Sequence, residues 1–391
     1  MWLPSRSVSR WPTGSTRFVP LVDPISQEET SVASVVDLLQ YLLEERGSDL
    51  LVKVGSAPSI RRNGRLERST LEALDSASIE QLAAELLPPG KAAEFKVNGE
   101  TDLAHSVPGL GRFRVNVYRQ RGSVSLAIRR VVPGAPAIAD LGVPPVVATL
   151  AGQRNGLVII SGPAASGKTT TAAAMIDHIN ASQARHIVTV EDPIEVLHAD
   201  RMAIVSQREV GADTPSVADA LRRVSRQDAD VVFVSDLPDA PSVSEALAAA
   251  AAGRLVLAVM NTLSATDTIA SLVDRFEPHQ QAPIRQTLGR VLRGVVCQRL
   301  VDRADDRGRV ALVESLVGTP KVRDAILAAA APAVLERLMT EGDYHGMATF
   351  DQALLQLFND ELVSLEEALE GAAYPEDFRI AVQQAGFSTL R

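Results

Sequence analysis

The residues Gly162-Pro163-Ala164-Ala165-Ser166-Gly167-Lys168-Thr169 fit the pattern G-x-x-x-x-G-K-[ST]. Few motifs constrain a fold more. The apolar run Gly156-Leu-Val-Ile-Ile-Ser161 enters the loop as a strand, and Thr169–Asn180 leaves it as a helix. Glycines at the two ends let backbone N–H groups turn inward onto phosphate oxygens, and a helix N-terminus adds positive potential at the same point. Lys168 is placed to reach the β- and γ-phosphates, and Thr169 to offer a hydroxyl to Mg²⁺. The bland alternative is a glycine-rich turn before a helix. The strand–loop–helix context favours a nucleoside triphosphate, ATP or GTP.

A phosphate loop calls for a parallel α/β sheet, and the surrounding sequence agrees. Leu157–Ile160, His186–Val190, Val231–Val234 and Leu255–Met260 are continuous apolar runs that alternate with helical segments. Runs without polar alternation mean strands covered on both faces. The chain has 391 residues, enough for two or three domains at ~100–200 residues each. Its hydrophobic share is 46% and its aromatic share only 4%, so the core is aliphatic. The net charge of −9 argues against a general nucleic-acid partner. One cysteine, Cys297, rules out an intrachain disulfide and Cys-rich zinc sites, and reads as a small buried hydrophobe of a cytoplasmic chain. No stretch is long and apolar enough to span a bilayer.

Five segments follow from the patterning. Residues 1–31, with Trp2 and Trp11, read as a disordered tail. Residues 32–132 read as a small α+β domain: a helix from Val32 to Arg46 capped by Gly47, a hairpin turning at Asn63-Gly64, a second helix from Ser76 to Leu87 stopped by Pro88-Pro89-Gly90, and strands over Arg112–Tyr118 and Ser123–Val131. Residues 133–145 are rich in Pro, Gly and Ala and suit a linker. Residues 146–315 hold the nucleotide core, and 316–391 read as helical.

Two acidic segments follow the loop. Glu191-Asp192-Pro193-Ile194-Glu195 comes directly after an apolar run, at the carboxyl end of a strand, where ligands of parallel sheets bind. Glu191 and Glu195 are candidates to polarise a water or hold the metal; in isolation the segment would be a solvated loop. Asp230-Val-Val-Phe-Val-Ser235-Asp236 has the form of a Walker B strand, with Asp236 as the metal-side acid, although any buried strand can end in Asp. His186 and His345 suit surface or capped core positions.

These pieces, in this order, resemble the type IV pilus retraction ATPase family, within the type II/type IV secretion ATPase superfamily. The resemblance rests on Gly162–Thr170, His186–Glu195, Gln207-Arg208-Glu209-Val210-Gly211, Gln298-Arg299-Leu300, Gly346–Leu354, Ser48-Asp49-Leu50 and Gly111–Asn116. It covers about Val32 to Arg379. It implies a PAS-like α+β N-terminal domain, a RecA-like ATPase core with C-terminal helices, and a hexameric ring. It also implies an inner-membrane platform protein as partner, a peripheral position at the cytoplasmic membrane, and ATP with Mg²⁺ as cofactors. It adds Thr170 to the phosphate loop. Arg112 and Arg114 match arginines that would meet phosphates, where the pattern alone reads as a solvated strand face. His198 falls where the family often has a histidine.

The departures fall on hydrolysis. The family's Gly-Glu-Met-Arg-Asp is Ser235-Asp236-Leu237-Pro238-Asp239 here, so the catalytic glutamate is Asp236. The family's Leu-His-Thr is Met260-Asn261-Thr262, which replaces a titratable ring with an amide at Asn261. Ala165 stands where glycine is usual. Lys321–Ala328 keeps only the first half of a further C-terminal motif. Three readings follow: a retraction motor with slow hydrolysis; a catalytically weak ring subunit assisting an active paralogous retraction ATPase, or a pilus assembly or secretion ATPase; and, in another class, a P-loop kinase or DNA-dependent ATPase, for which no lid pattern or basic balance speaks.

Overall fold

Hydrophobic spacing places α1 at Val35–Glu44, where Val35, Leu38, Leu39 and Leu42 face inward. Ser34 opens it with a capping box completed by Asp37. The computed structural model describes residues 34–62 and 64–384. The expected tail with both tryptophans, the first residues of the expected first helix, Asn63 of the expected turn, and the last seven residues lie outside that range. At the end of α1 the left-handed position falls to Arg46, with φ 52°, one residue before the glycine expected to take it. Gly47 serves by its small size instead: a Cβ there would stand 2.5 Å from Leu42 Cδ1.

Contacts divide the chain into a smaller unit, up to Leu103 and from Asn116 to Ala127, and a larger one, Ala104–Val115 and from Ile128 onward. The smaller unit is built around a sheet of order β3-β2-β1-β6-β5-β4. Its strands are β1 (Asp49–Lys53), β2 (Ser59–Arg62), β3 (Arg65–Arg68), β4 (Glu100–Val107), β5 (Gly111–Gln120) and β6 (Ser123–Arg130). The β4–β5 turn groups with the larger unit. Helices α2 (Ser76–Leu86) and α3 (Pro89–Asn98) complete it. The Pro88-Pro89-Gly90 run ends one helix and begins another, because proline at the first helical position gives up only an N–H that has no partner there.

In the larger unit, seven strands order as β11-β9-β12-β13-β8-β14-β15. These are β8 (Gly156–Ser161), β9 (His186–Glu191), β11 (Ile204–Glu209), β12 (Val231–Val234), β13 (Leu255–Met260), β14 (Leu292–Asp302) and β15 (Arg309–Val317). Six run parallel and β15 is antiparallel to β14. The apolar runs are split residue by residue between two cores. Leu157, Ile159, Val232, Val234, Val256 and Ala258 belong to one; Val158, Ile160, Val231, Phe233, Leu255 and Leu257 belong to the other. Strands buried on both faces therefore need no alternation. The two-residue strands β7 (Val132–Pro133) and β10 (Val196–Leu197) pair with each other, and Ile138 packs in the second core. Pro133–Pro145, expected to be a linker, thus lies within the larger unit.

Helices α4 (Val146–Ala151), α5 (Lys168–Ser182), α6 (Val217–Val224), α7 (Ala240–Ala251), α8 (Ala265–Asp274) and α9 (Pro278–Val291) surround the sheet strands in sequence. After β15 the chain is helical: α10 (Pro320–Leu327), α11 (Pro332–Thr340), α12 (Phe350–Asn359), α13 (Leu365–Gly371) and α14 (Pro375–Gln384). Cys297, fully buried, packs with Phe350, Leu354 and Phe378 in a third core, and burial pushes its thiol up to about 11. Among the described residues no helix is long and apolar enough to cross a membrane.

Candidate nucleotide-binding site

The loop between β8 and α5 has the backbone that its composition requires. Gly162, Ala165 and Gly167 take φ of 146°, 60° and 88°. Gly162 has no room for a Cβ, which would strike the Gln298 carbonyl and the Ser166 hydroxyl. Ala164, Ala165, Thr169 and Thr170 are exposed; Pro163 is half-buried and Ser166 is buried. Lys168 opens α5 and is buried, with Nζ donating to the Pro163 carbonyl at 2.6 Å. Burial pushes its ammonium below the ordinary lysine range, while the charges of Asp236 and Glu195 act the other way. The Ser166 hydroxyl is buried and has no hydrogen-bond partner among the described residues. An orphaned donor, a lysine held against a loop carbonyl and N–H groups at a helix start together suit a phosphate chain.

The acidic loop meets this loop across one cavity. Thr169, Glu191, Asp192, Glu195, His198 and Ser235 are among its lining residues. Glu191 ends β9 and is buried. Its Oε1 accepts from Thr189 Oγ1 at 2.7 Å and from Gln207 Nε2 at 2.9 Å. Burial nevertheless pushes its carboxyl above the ordinary range, the direction that suits a proton acceptor near neutrality. Glu195 is about half exposed. His198 is mostly buried; burial pushes its pKa down, and its Nδ1 has no partner among the described residues.

Asp236 stands just past β12, and its Oδ1 accepts from its neighbour's N–H, Leu237 N, at 2.9 Å. Asp239 caps α7 through Ser242, which holds its carboxyl below the usual range. Asn261 is exposed at the end of β13. The next residue, Thr262, begins a hydroxyl chain that runs through Thr268 at 2.7 Å to Ser161 at 3.0 Å, beneath the phosphate loop.

The structure does not bring Arg112 and Arg114 to the phosphate loop. Within the larger unit, Arg112 Nη2 donates to Glu209 Oε2 at 3.0 Å, and Glu209 also accepts from Ile194 N. Arg114 donates to the Pro193 and Ile194 carbonyls and lies 3.5 Å from Glu195. Both clamp the acidic segment. Gln207, Glu209 and Gln298 were visible in the sequence only as parts of family-like segments. A lone glutamine or a strand-end glutamate carries no spacing signal of its own, so their contacts with the site come from the fold.

Residues 127–350 match the family model described as type II/IV secretion system protein. The chain is 35% identical over 344 residues to the type IV pilus retractation ATPase PilT of Pseudomonas aeruginosa, covering 88% of this chain and 99% of that one. The chain belongs to the type II/IV secretion system protein family. Another member similar to it is the type IV pilus ATPase PilU of the same organism, at 34% over 346 residues, 88% of this chain and 90% of that one. The solved structure of the pilus retraction motor PilT with bound ADP superposes with a TM-score of 0.78 at 35% identity, over 88% of this chain and 98% of that one. Membership in the secretion family accounts for the α/β architecture, an N-terminal region before an ATPase core with C-terminal helices. The resemblance in the sequence is thereby confirmed.

Proposed function

We propose that this chain is the ATP-hydrolysing subunit of a type IV pilus retraction machine, withdrawing pilin as ATP is turned over and so powering twitching motility. The observation that carries this is the phosphate loop with its buried Lys168 and orphaned Ser166, on a chain that matches PilT over 99% of that protein's length. Its N-terminal α+β region, about residues 32–132, is a PAS-like domain, and the motor core spans about 146–315.

Lys168 and the amides of Gly162–Thr170 hold the β- and γ-phosphates. Mg²⁺, when bound, neutralises charge building on the phosphate oxygens. Thr169 and Asp236 would hold it from the protein side. Glu191 takes a proton from, and Glu195 orients, the attacking water. Asn261 would meet the γ-phosphate with an amide in place of a titratable ring. Arg112 and Arg114 reach phosphate only after leaving Glu209 and the acidic segment. Hydrolysis is slow, because Asp236 is one methylene short and its carboxylate is engaged with Leu237 N.

The working form is a homo-oligomeric ring of six. It sits at the cytoplasmic face of the inner membrane against a platform protein, with a paralogous retraction ATPase as a further partner and no nucleic acid. The test has two arms. The purified full chain should bind ADP in calorimetry and turn over ATP slowly, and Lys168→Ala should weaken binding by roughly a hundredfold, the loss of one charge-assisted contact. Deletion of the gene should abolish twitching. ADP binding unaffected by Lys168→Ala would end the nucleotide assignment. Tight binding with no turnover, alone or with a paralogue, would move the chain to an assisting role.

A further inference from the structure

Gln298 lies on β14 one residue past the Cys297–Ser161 register pair, so its side chain arrives beside the start of the phosphate loop. It is 3% exposed. Both ends of its amide are used. Nε2 donates to the Ser166 carbonyl at 2.9 Å, and Oε1 accepts from Thr171 Oγ1 at 2.7 Å. The amide therefore ties the loop to the first turn of α5 from a neighbouring strand. Both loop glycines close onto this residue. A Cβ on Gly167 would stand 2.7 Å from Gln298 Nε2, and a Cβ on Gly162 would strike the Gln298 carbonyl. The glycines thus answer to β14 as well as to phosphate.

We infer that Gln298 is a positioning residue that holds the phosphate loop in its binding shape, with Thr171 anchoring its amide oxygen. This rests on the nucleotide reading above. The chemistry is specific. A loop binds phosphate when its N–H groups converge, and each peptide unit that presents an N–H on one side presents its carbonyl on the other. The Ser166 carbonyl points away toward β14, where it accepts from the buried Gln298 amide. Without a donor there it would be left unsatisfied, and the peptide would rotate to find one. Glutamine supplies the donor. The Ser166 carbonyl can only accept, so it takes the nitrogen end of the amide, and the Thr171 hydroxyl donates to the oxygen that is left and anchors it. Among the described residues the Gln298 amide is hydrogen-bonded to Ser166 and Thr171 and not to Glu191 or Asp236, so its influence falls on binding and not on the chemical step.

The experiment uses the full chain with three substitutions. Gln298→Met keeps the volume and removes the donor. Gln298→Glu keeps the acceptor for Thr171 and sets a carboxylate against the Ser166 carbonyl. Thr171→Val is nearly isosteric and removes only the hydroxyl. Circular dichroism checks folding, calorimetry gives Kd for ADP, and steady-state turnover gives KM and kcat for ATP. We expect Gln298→Met to raise Kd and KM about tenfold with kcat within about twofold, Gln298→Glu to raise them more, and Thr171→Val to raise them about threefold. A merely structural glutamine would lower stability and leave the KM-to-kcat split untouched. Folded variants with unchanged Kd would overturn the proposal. If neither Gln298 variant folds, an unchanged Kd in Thr171→Val overturns it and a raised one supports it. Failure of the unaltered chain to bind ADP would instead dispose of the nucleotide reading, which separates the two.

Discussion

Asp236 stands just past β12, where the retraction family's motif carries glutamate. The missing methylene draws the carboxylate back by roughly 1.5 Å, one C–C bond. A misplacement of about 1 Å in a catalytic group can lower a rate on the order of a hundredfold. Binding depends on Lys168 and the loop amides, so it should be spared. Asp236→Glu is expected to raise kcat several-fold at nearly constant Kd for ADP, and adding Asn261→His to raise it again. A folded Asp236→Glu protein with a lower kcat would mean that the site has been rebuilt around the shorter acid. Ala165 is the other departure with a physical cost. It holds φ at 60° on an exposed stretch of loop, where no packing repays it. Left-handed backbone costs a non-glycine residue about 1–2 kcal/mol, and glycine returns about 0.4–1 kcal/mol through a freer unfolded chain. Ala165→Gly should therefore stabilise the protein by about 0.5–1 kcal/mol, seen as a higher denaturation midpoint; a lower midpoint would refute the argument.

At the level of elements, one buried side chain starts two helices. Glu314 of β15 accepts from Ala265 N at 2.7 Å and from the Phe350 backbone, the first residues of α8 and α12. The caps of those helices, Ser264 and Thr349, reach only deeper N–H groups, at Asp267 and Gln352. First-turn N–H groups have no partner within the helix, so Glu314 satisfies what the caps leave over. Arg299 adds to the same joint. It donates to the Leu263 carbonyl at 3.0 Å and lies 4.1 Å over the Phe350 ring. Burial pushes the Glu314 carboxyl above its usual range, and its two backbone donors and Arg299 oppose that. Glu314→Ala leaves two buried donors unpaired and should cost about 2–4 kcal/mol in chemical denaturation. Glu314→Gln, which can still accept, should cost less than half of that. Equal losses in both would mean that the contact is steric.

For the molecule as a whole, the expected ring is a statement about association. Arg112 is engaged with Glu209 and Arg114 with the acidic segment, and neither completes the phosphate site within its own chain. A site built in this way calls for basic groups from a neighbouring copy. Multi-angle light scattering at micromolar concentration should give a mass near six times 41.7 kDa, with an ATP analogue present if not without it. Monomer alone under both conditions would contradict the ring. Salt and alkaline washes should release the chain from membranes, since among the described residues no helix can span one.

Much of this protein is written locally. The phosphate loop, the four core strands and the acid after each of two of them were legible because each depends on neighbours in sequence: apolar runs, glycine spacing, a carboxylate at a strand end. Other features required the fold. Strand β11 carries Ser206, Gln207 and Arg208, whose polar run gives no strand signal of its own until β9 supplies its ladder. Strands β14 and β15 pair over nine positions and contain Gln298 and Glu314, polar residues that local patterning assigns to no role. Gly47 shows the same limit at smaller scale: the left-handed position falls on Arg46, and Gly47 is needed instead for its small size against Leu42. Local chemistry determined that a phosphate loop exists and which acids follow it. Only the tertiary structure decided what braces that loop and where the arginines rest, because both depend on contacts between residues more than seventy positions apart in the chain.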